Sequence, residues 1–299
     1  MKLSISHVTQ YEYENPVTDS VNEIRLTPCT NERQSCYQQA IWIEPNASLF
    51  SYEDYFGNRV HAFSVNDPHR RLTIRTQMTV VTNAAPEPEA QAAVLRGNPQ
   101  GEGWEWLKGE EAQNRFAEFL LPTEYANVTP SVERFADSVT AERPAFDEKQ
   151  ISVLEWLSAL SAKIRGDFVY DPEATTVKTK AAELIENKRG VCQDFAHLMI
   201  ACCRARRVPA RYVSGYHFVG DLQGGAADFE QASHAWVEAY VPRLGWCCFD
   251  PTNETPVGER YVKLGHGRDY KDIVPVKGVY RGNGGQTLKV TVDVRKEED

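Results

Sequence analysis

Gly190-Val-Cys-Gln-Asp-Phe-Ala-His-Leu-Met-Ile-Ala-Cys-Cys-Arg-Ala205 is the stretch whose reading decides the fold. Phe195, Leu198, Met199, Cys202 and Cys203 recur at the spacing of one buried helical face, so the segment reads as a helix that begins at Cys192. At the first turn of a helix the backbone N–H groups have no intrahelical partner, and the positive end of the helix dipole favours thiolate over thiol. A thiolate is the form of cysteine that attacks carbonyl carbon. Arg204, Arg206, Arg207 and Arg211 gather near the other end, where cations complement the dipole and read as a capped helix end.

Two strands follow. Along Ser233 to Val241, His234, Trp236, Glu238 and Tyr240 share one face, while Ala235, Val237, Ala239 and Val241 share the other. Trp246, Cys248 and Asp250 line one face of the next strand, and Pro242-Arg243-Leu244-Gly245 between them suits a type I turn closed by a left-handed glycine. If Trp236 lies opposite Asp250, then His234 and Asp250 are diagonal neighbours on one face, roughly 7 Å apart at Cβ. A thiol to attack, an imidazole to carry the proton and a carboxylate to fix the imidazole tautomer are the three parts of a nucleophilic triad. Cys192, His234 and Asp250 are therefore the candidate catalytic residues.

Upstream, Leu72, Ile74, Thr76, Met78 and Val80 alternate with polar neighbours, and turn signals at Glu44-Pro-Asn46, Phe56-Gly-Asn58 and Asn66-Asp-Pro68 punctuate the region. These predict an N-terminal β-sandwich-like domain over residues 1–85, with Tyr11, Tyr13, Tyr52, Tyr55 and Phe56 filling its core. Breaker-rich tracts at Asn83-Ala-Ala-Pro-Glu-Pro-Glu89 and Arg96-Gly-Asn-Pro-Gln-Gly-Glu-Gly103 mark a linker and connecting segment over 86–129. A catalytic domain then spans 130–299. Its predicted helices are Ser131–Glu142, Glu148 to about Ile164, and Lys180–Lys188 capped by Thr179 and stopped at Gly190. Strands are expected at Ala210–Phe218, Trp246–Asp250 and Thr287–Arg295, which makes the class α+β.

A formal charge of −9 over 299 residues opposes binding to a phosphate backbone, so no nucleic-acid partner is expected. No apolar run is long enough to span a bilayer, and the N-terminus alternates like a strand rather than forming the apolar segment of a secretory signal. The expected location is the cytoplasm, with no membrane partner. Seven cysteines are an odd count, and Cys202-Cys203 and Cys247-Cys248 are adjacent rather than spaced as metal ligands, so neither a disulfide framework nor a metal is expected. No cofactor motif is present, and oligomeric state is left open.

Gly190-Val-Cys-Gln-Asp-Phe-Ala-His197, Pro209-Ala-Arg-Tyr-Val-Ser-Gly-Tyr216, Ser233-His-Ala-Trp-Val-Glu238 and Gly245-Trp-Cys-Cys-Phe-Asp-Pro-Thr-Asn253 resemble the core of the bacterial transglutaminase-like superfamily, members of which are described as cysteine proteases. His7, Tyr11, Tyr13, Asn22-Glu-Ile-Arg-Leu26, Tyr55-Phe-Gly-Asn58 and Pro68-His69 resemble the β-rich domain that precedes that core in the same bacterial group. The resemblance implies a papain-like or transglutaminase-like core, its cysteine helix packed on an antiparallel sheet, and the triad Cys192, His234 and Asp250. Asp194 then stabilises the helix start, His197 is buried structure, and Trp236 is sheet core or a wall of the acyl site. The Cys192 backbone N–H is the natural oxyanion donor, with Tyr170 a second candidate. The implied activity is thiol-dependent acyl transfer on peptide, isopeptide or glutamine carboxamide bonds of a peptide or protein substrate, with hydrolysis preferred. Glutamine–amine cross-linking and a non-catalytic binding or assembly module are the alternatives.

Overall fold

A computed structural model of the chain describes residues 1–84, 102–141, 151–220 and 233–297. The N-terminal region is organised by one long strand, β1 (Lys2–Ile24), followed by β2 (Gln34–Glu44), β3 (Phe50–Glu53), β4 (Arg59–Val65) and β5 (His69–Thr82). From Lys2 to Glu12 β1 pairs with β5, its register shifts between Glu12 and Val17, and from Ser20 to Ile24 it pairs with β4. One strand thus serves two sheets, the expected sandwich-like arrangement. Leu3, Ile5, Leu72, Ile74, Met78 and Val80 alternate inward and are fully or almost fully buried. The aromatic core expected there is only partly realised: Tyr13 is buried, but Tyr55 is 79% exposed in a turn, where it has no sheet to pack under.

Helices cover part of the segment expected as a linker: Glu102–Lys108, Glu110–Arg115 and Ala117–Leu120. Two tryptophans hold them down. The Trp104 indole N–H donates to the Ile151 carbonyl at 2.9 Å, and Trp106 stacks on Tyr240 with Leu107 buried between helix and core. Next come helices Pro130–Ala141 and Val153–Asp167, the latter capped by the Ser152 and Glu155 side chains in a reciprocal box. Residues 148–150 of the expected helix lie outside the described residues. Ala181–Asn187 begins after Lys180 rather than Thr179, whose hydroxyl instead accepts from the Thr176 N–H at 3.1 Å. It ends at Lys188, which takes the left-handed conformation expected near Gly190. Gly190 is needed for a different reason: a Cβ there would lie 2.8 Å from Leu184 Cδ1 and 2.9 Å from an Asp194 carboxylate oxygen.

The core sheet contains β8 (Ala210–His217), β9 (Ser233–Val241), β10 (Gly245–Phe249) and β11 (Tyr261–Gly267) in the order β10-β9-β8-β11, all antiparallel. A short parallel pair, β6 (Val169–Tyr170) and β7 (Arg189–Gly190), leads into helix Cys192–Ala205. That helix buries Phe195, Leu198, Met199, Cys202 and Cys203 in one cluster with Ala235, Val237, Ala239 and Val241, the apolar face read from the sequence. In the β9–β10 turn Gly245 is left-handed as expected, but Arg243 also has φ +73°. A positive φ at that position after Pro242 belongs to a type II turn, not type I.

The N-terminal sandwich and the core sheet meet at β11. Gln34 accepts from the Lys263 N–H at 2.8 Å and donates to the Lys263 carbonyl at 2.7 Å; Asn58 does the same for His266, both at 2.8 Å. Two buried side-chain amides thus stand in for a strand along the edge of β11 and leave those backbone groups satisfied. Gly265 makes the approach possible, since a Cβ there would fall 2.4 Å from Asn58 Oδ1. Tyr216, Phe218, Val262 and Leu264 of the core region join the apolar cluster of the sandwich. Finally β12 (Val276–Arg281) and β13 (Gln286–Lys296) pair along β1. The last twenty or so residues, expected with the catalytic domain, therefore complete the N-terminal sheets, because β1 offers a second edge that local sequence does not reveal.

Candidate active site

Cys192 is the first residue of its helix, half-buried, with Val191 in extended conformation before it. The turn is locked by Asp194, whose carboxylate accepts from the Val191 N–H at 2.9 Å and from the Thr175 hydroxyl at 2.7 Å. Burial pushes the Asp194 carboxyl up, against these two hydrogen bonds. His197, a turn further on, accepts from the Tyr270 N–H at 3.2 Å and lies between Tyr125 and Tyr212. Fully buried, it has its pKa driven down to about 3 by desolvation and is neutral.

At the start of β9, His234 Nε2 lies 2.7 Å from Asp250 Oδ2, and both side chains are buried. The register sets this up. Phe249 pairs with Val237, so one step further Asp250 falls opposite Trp236 and diagonal to His234. The Cys192 thiol lies close enough to the same imidazole to help raise its pKa. Since Nε2 is taken by Asp250, Nδ1 is the ring nitrogen left for the sulfur. The structure thus brings Cys192, His234 and Asp250 together around one ring.

Three further residues hold Asp250. Tyr261 donates its hydroxyl to Oδ2 at 2.8 Å, the Asn253 amide donates to Oδ2 at 2.9 Å, and the Thr252 N–H donates to Oδ1 at 2.8 Å. Burial by itself would lower the His234 pKa, but the Asp250 charge and then Cys192 outweigh it and raise it to about 10. Burial would raise Asp250, yet His234, Asn253 and Thr252 hold its carboxyl well below the usual range. A carboxylate facing an imidazolium is the state this site favours.

Sequence reasoning did not single out Asn253, Tyr261 or His217. Asn253 follows Asp250 by three residues, and an Asp whose carboxylate caps the following N–H groups was a readable signal. Tyr261 and His217 had none, since they arrive through the β8–β11 pairing that sets them opposite each other. The His217 ring stacks on Tyr261 at 4.2 Å and lies 5.5 Å from His234. Burial, reinforced by the His234 charge, lowers His217 to about 4. Trp236 is packed with Val213, Val257 and Tyr261 as sheet core. Tyr170 pairs with Gly190, two residues before Cys192. Among the described residues, no group of three or more His, Cys, Asp or Glu side chains is arranged to hold a metal ion.

Two family models match the chain: residues 3–81 fit the bacterial transglutaminase-like N-terminal region, and residues 140–251 fit the transglutaminase-like superfamily. An uncharacterized protein of Mycobacterium leprae is 34% identical over 296 residues, covering 99% of each chain. A protein-glutamine gamma-glutamyltransferase of Pseudomonas aeruginosa is 33% identical over 105 residues, 31% of this chain and 15% of that one. The solved structure of a candidate cysteine protease from Cytophaga hutchinsonii superposes with a TM-score of 0.70 at 22% identity, covering 100% of this chain and 92% of the other.

Proposed function

The chain belongs to the transglutaminase-like superfamily, and we propose that it is a thiol-dependent acyl-transfer enzyme acting on carboxamide bonds of peptide or protein substrates through Cys192, His234 and Asp250. The observation that carries this reading is a single buried imidazole held by a carboxylate at 2.7 Å, with a thiol at a helix start near enough to shift its pKa.

The Cys192 sulfur attacks the amide carbon, forming a C–S bond while the carbonyl pair moves onto oxygen. The Cys192 backbone N–H, free of any intrahelical partner at the first turn, faces the developing oxyanion, with Tyr170 as a second donor. As the C–N bond breaks, the leaving nitrogen takes a proton from the His234 imidazolium and departs as an amine or ammonia. A thioester remains. His234 then takes a proton from water, whose oxygen attacks the thioester; the C–S bond breaks, and acid and thiolate result. Asp250, with Tyr261 and Asn253 behind it, keeps Nδ1 aimed at sulfur through both halves.

We take water as the acceptor because hydrolysis needs no second protein substrate delivered to the thioester. The relative from Pseudomonas aeruginosa, named as a glutamyltransferase, motivates the alternative in which a primary amine replaces water. The test is a glutamine-containing peptide library with and without a primary amine, read by mass spectrometry of products and of the enzyme. A thioester on Cys192 that decays to free acid supports the proposal. Preferential amide formation moves the assignment to cross-linking, and turnover surviving in Cys192→Ala removes the mechanism.

A further inference from the structure

Among the described residues, β13 shares with β2 the greatest length of any strand with an open edge, and of the two only β13 pairs without a register shift. It runs for eleven residues against β1 without a bulge, and among the described residues nothing pairs with its other side. Its hydrogen-bonding parity can be read from the two ends of the ladder. Glu297 donates its N–H to the Lys2 carbonyl at 3.0 Å, and Glu14 donates to the Gly285 carbonyl at 3.1 Å, each between directly opposed residues. Odd-numbered residues of β13 therefore turn their backbone groups toward β1, and the even-numbered ones, Gln286 through Lys296, turn theirs outward. The side chains of those even residues lie on the face that buries Val292, yet Leu288 is 55% exposed and Val290 46% exposed. An edge with free N–H and C=O groups beside uncovered aliphatic side chains is a pairing surface.

We propose that β13 pairs antiparallel with β13 of a second copy of this chain, about a two-fold axis at Thr291. The charge pattern selects both the occupant and the register. With Thr291 opposite itself, Lys289 of each copy faces Asp293 of the other, Leu288 faces Val294, and Val290 faces Val292. The two Lys–Asp pairs fall at odd positions. In the new ladder those are the non-hydrogen-bonded sites, where opposed side chains come closest. Moving the axis to Val292 sets Lys289 against Arg295, like against like. Moving it to Val290 leaves Lys289 opposite Thr291 and Asp293 opposite Thr287. Asp293 already holds Arg295 Nε at 2.7 Å within its own strand, which keeps that carboxylate on the outer face. A two-fold contact of this kind is isologous and closes at a dimer.

β11, one edge of the core sheet, is sealed by Gln34 and Asn58. β13 has charges but no such cover, and charges that repel an unrelated strand attract a copy of themselves in this one register.

Sedimentation velocity of the full chain over a concentration series tests the proposal. The expected result is a dimer for wild type and a monomer for V290P, which removes an outward N–H and leaves the β1 ladder intact. D293K opposes two lysine pairs and weakens the dimer by roughly tenfold, and K289D/D293K restores it. The rescue keeps the test independent of any folding defect in V290P. A wild-type chain that stays monomeric throughout the series, a dimer unchanged by V290P, or a charge swap that fails to restore D293K overturns the proposal.

Discussion

His234 and Glu238 stand on the same strand and the same face, four residues apart, and each anchors a buried ionic cluster. Glu238 accepts from Lys263 Nζ at 2.7 and 2.8 Å and from Arg211 Nε at 2.6 Å. Burial would raise its pKa, but Lys263 and then Arg211 bring it down to about 2. Arg211 in turn lies over the Trp246 ring at 4.1 Å. Nearby, Arg33 of the sandwich reaches Cys248 Sγ at 3.2 Å and the Val257 carbonyl at 2.7 Å. Around Glu238 every strong donor is spent on another protein group. Around His234 one ring nitrogen is anchored, and a half-buried thiol lies near enough to shift the ring's pKa. A buried charge pair becomes chemically useful when one member is held and its second functional atom meets a reactive group. It is structural when all are matched.

The sharpest way to break this contrast is to remove the reactive group. Cys192→Ala should lower kcat on the order of 10⁶-fold while leaving the melting curve nearly unchanged. Substantial residual turnover would mean the His234 cluster is as structural as that of Glu238.

Asp250→Asn comes next. In a comparable serine triad the change costs about 10⁴ in kcat, and a thiol, partly ionised by itself, depends less on the base, so about 10³ is expected. The pH profile gives an independent reading. His234 is raised above its unfolded value, so its imidazolium persists until pH passes about 10. Stability from the pair is thus fully present below the unfolded pKa of about 6.5 and fades as pH rises through about 10. In Asp250→Asn the alkaline limb of both activity and stability should move toward neutral pH. An unmoved limb would detach Asp250 from His234.

Glu238→Ala should show the opposite signature. It strands Lys263 and Arg211 in a buried site and should destabilise by about 3–5 kcal/mol in denaturant titration, while the rate of Cys192 alkylation in the folded protein changes little. A loss of alkylation rate matching the Cys192 site variants would erase the distinction between the clusters.

The smallest expected effect concerns the seam that closes the Glu238 side. Asn58→Ala orphans the His266 N–H and C=O and should cost about 1–3 kcal/mol, again without slowing alkylation. Because Gln34 and Asn58 serve the backbone of β11, which also carries Tyr261, deletion of residues 1–83 should disturb the site itself. Intact alkylation kinetics in a folded truncation would show the two regions to be independent.

What the sequence determined alone is what periodicity reaches. Helical spacing put Cys192 at a first turn, and strand parity put His234 and Asp250 on one face, because side-chain direction along a single element repeats with a fixed period. The β9–β10 register followed from a short turn, even though Arg243 changed the turn type. Tertiary structure decided the rest. Tyr261 reaches Asp250 only through the β8–β11 ladder, and Gln34 and Asn58 reach β11 from more than 200 residues away. The C-terminal strands return to β1 because it has a second edge to fill. Contacts of that kind depend on which edges remain open once each element has formed, and no local pattern in a chain records that.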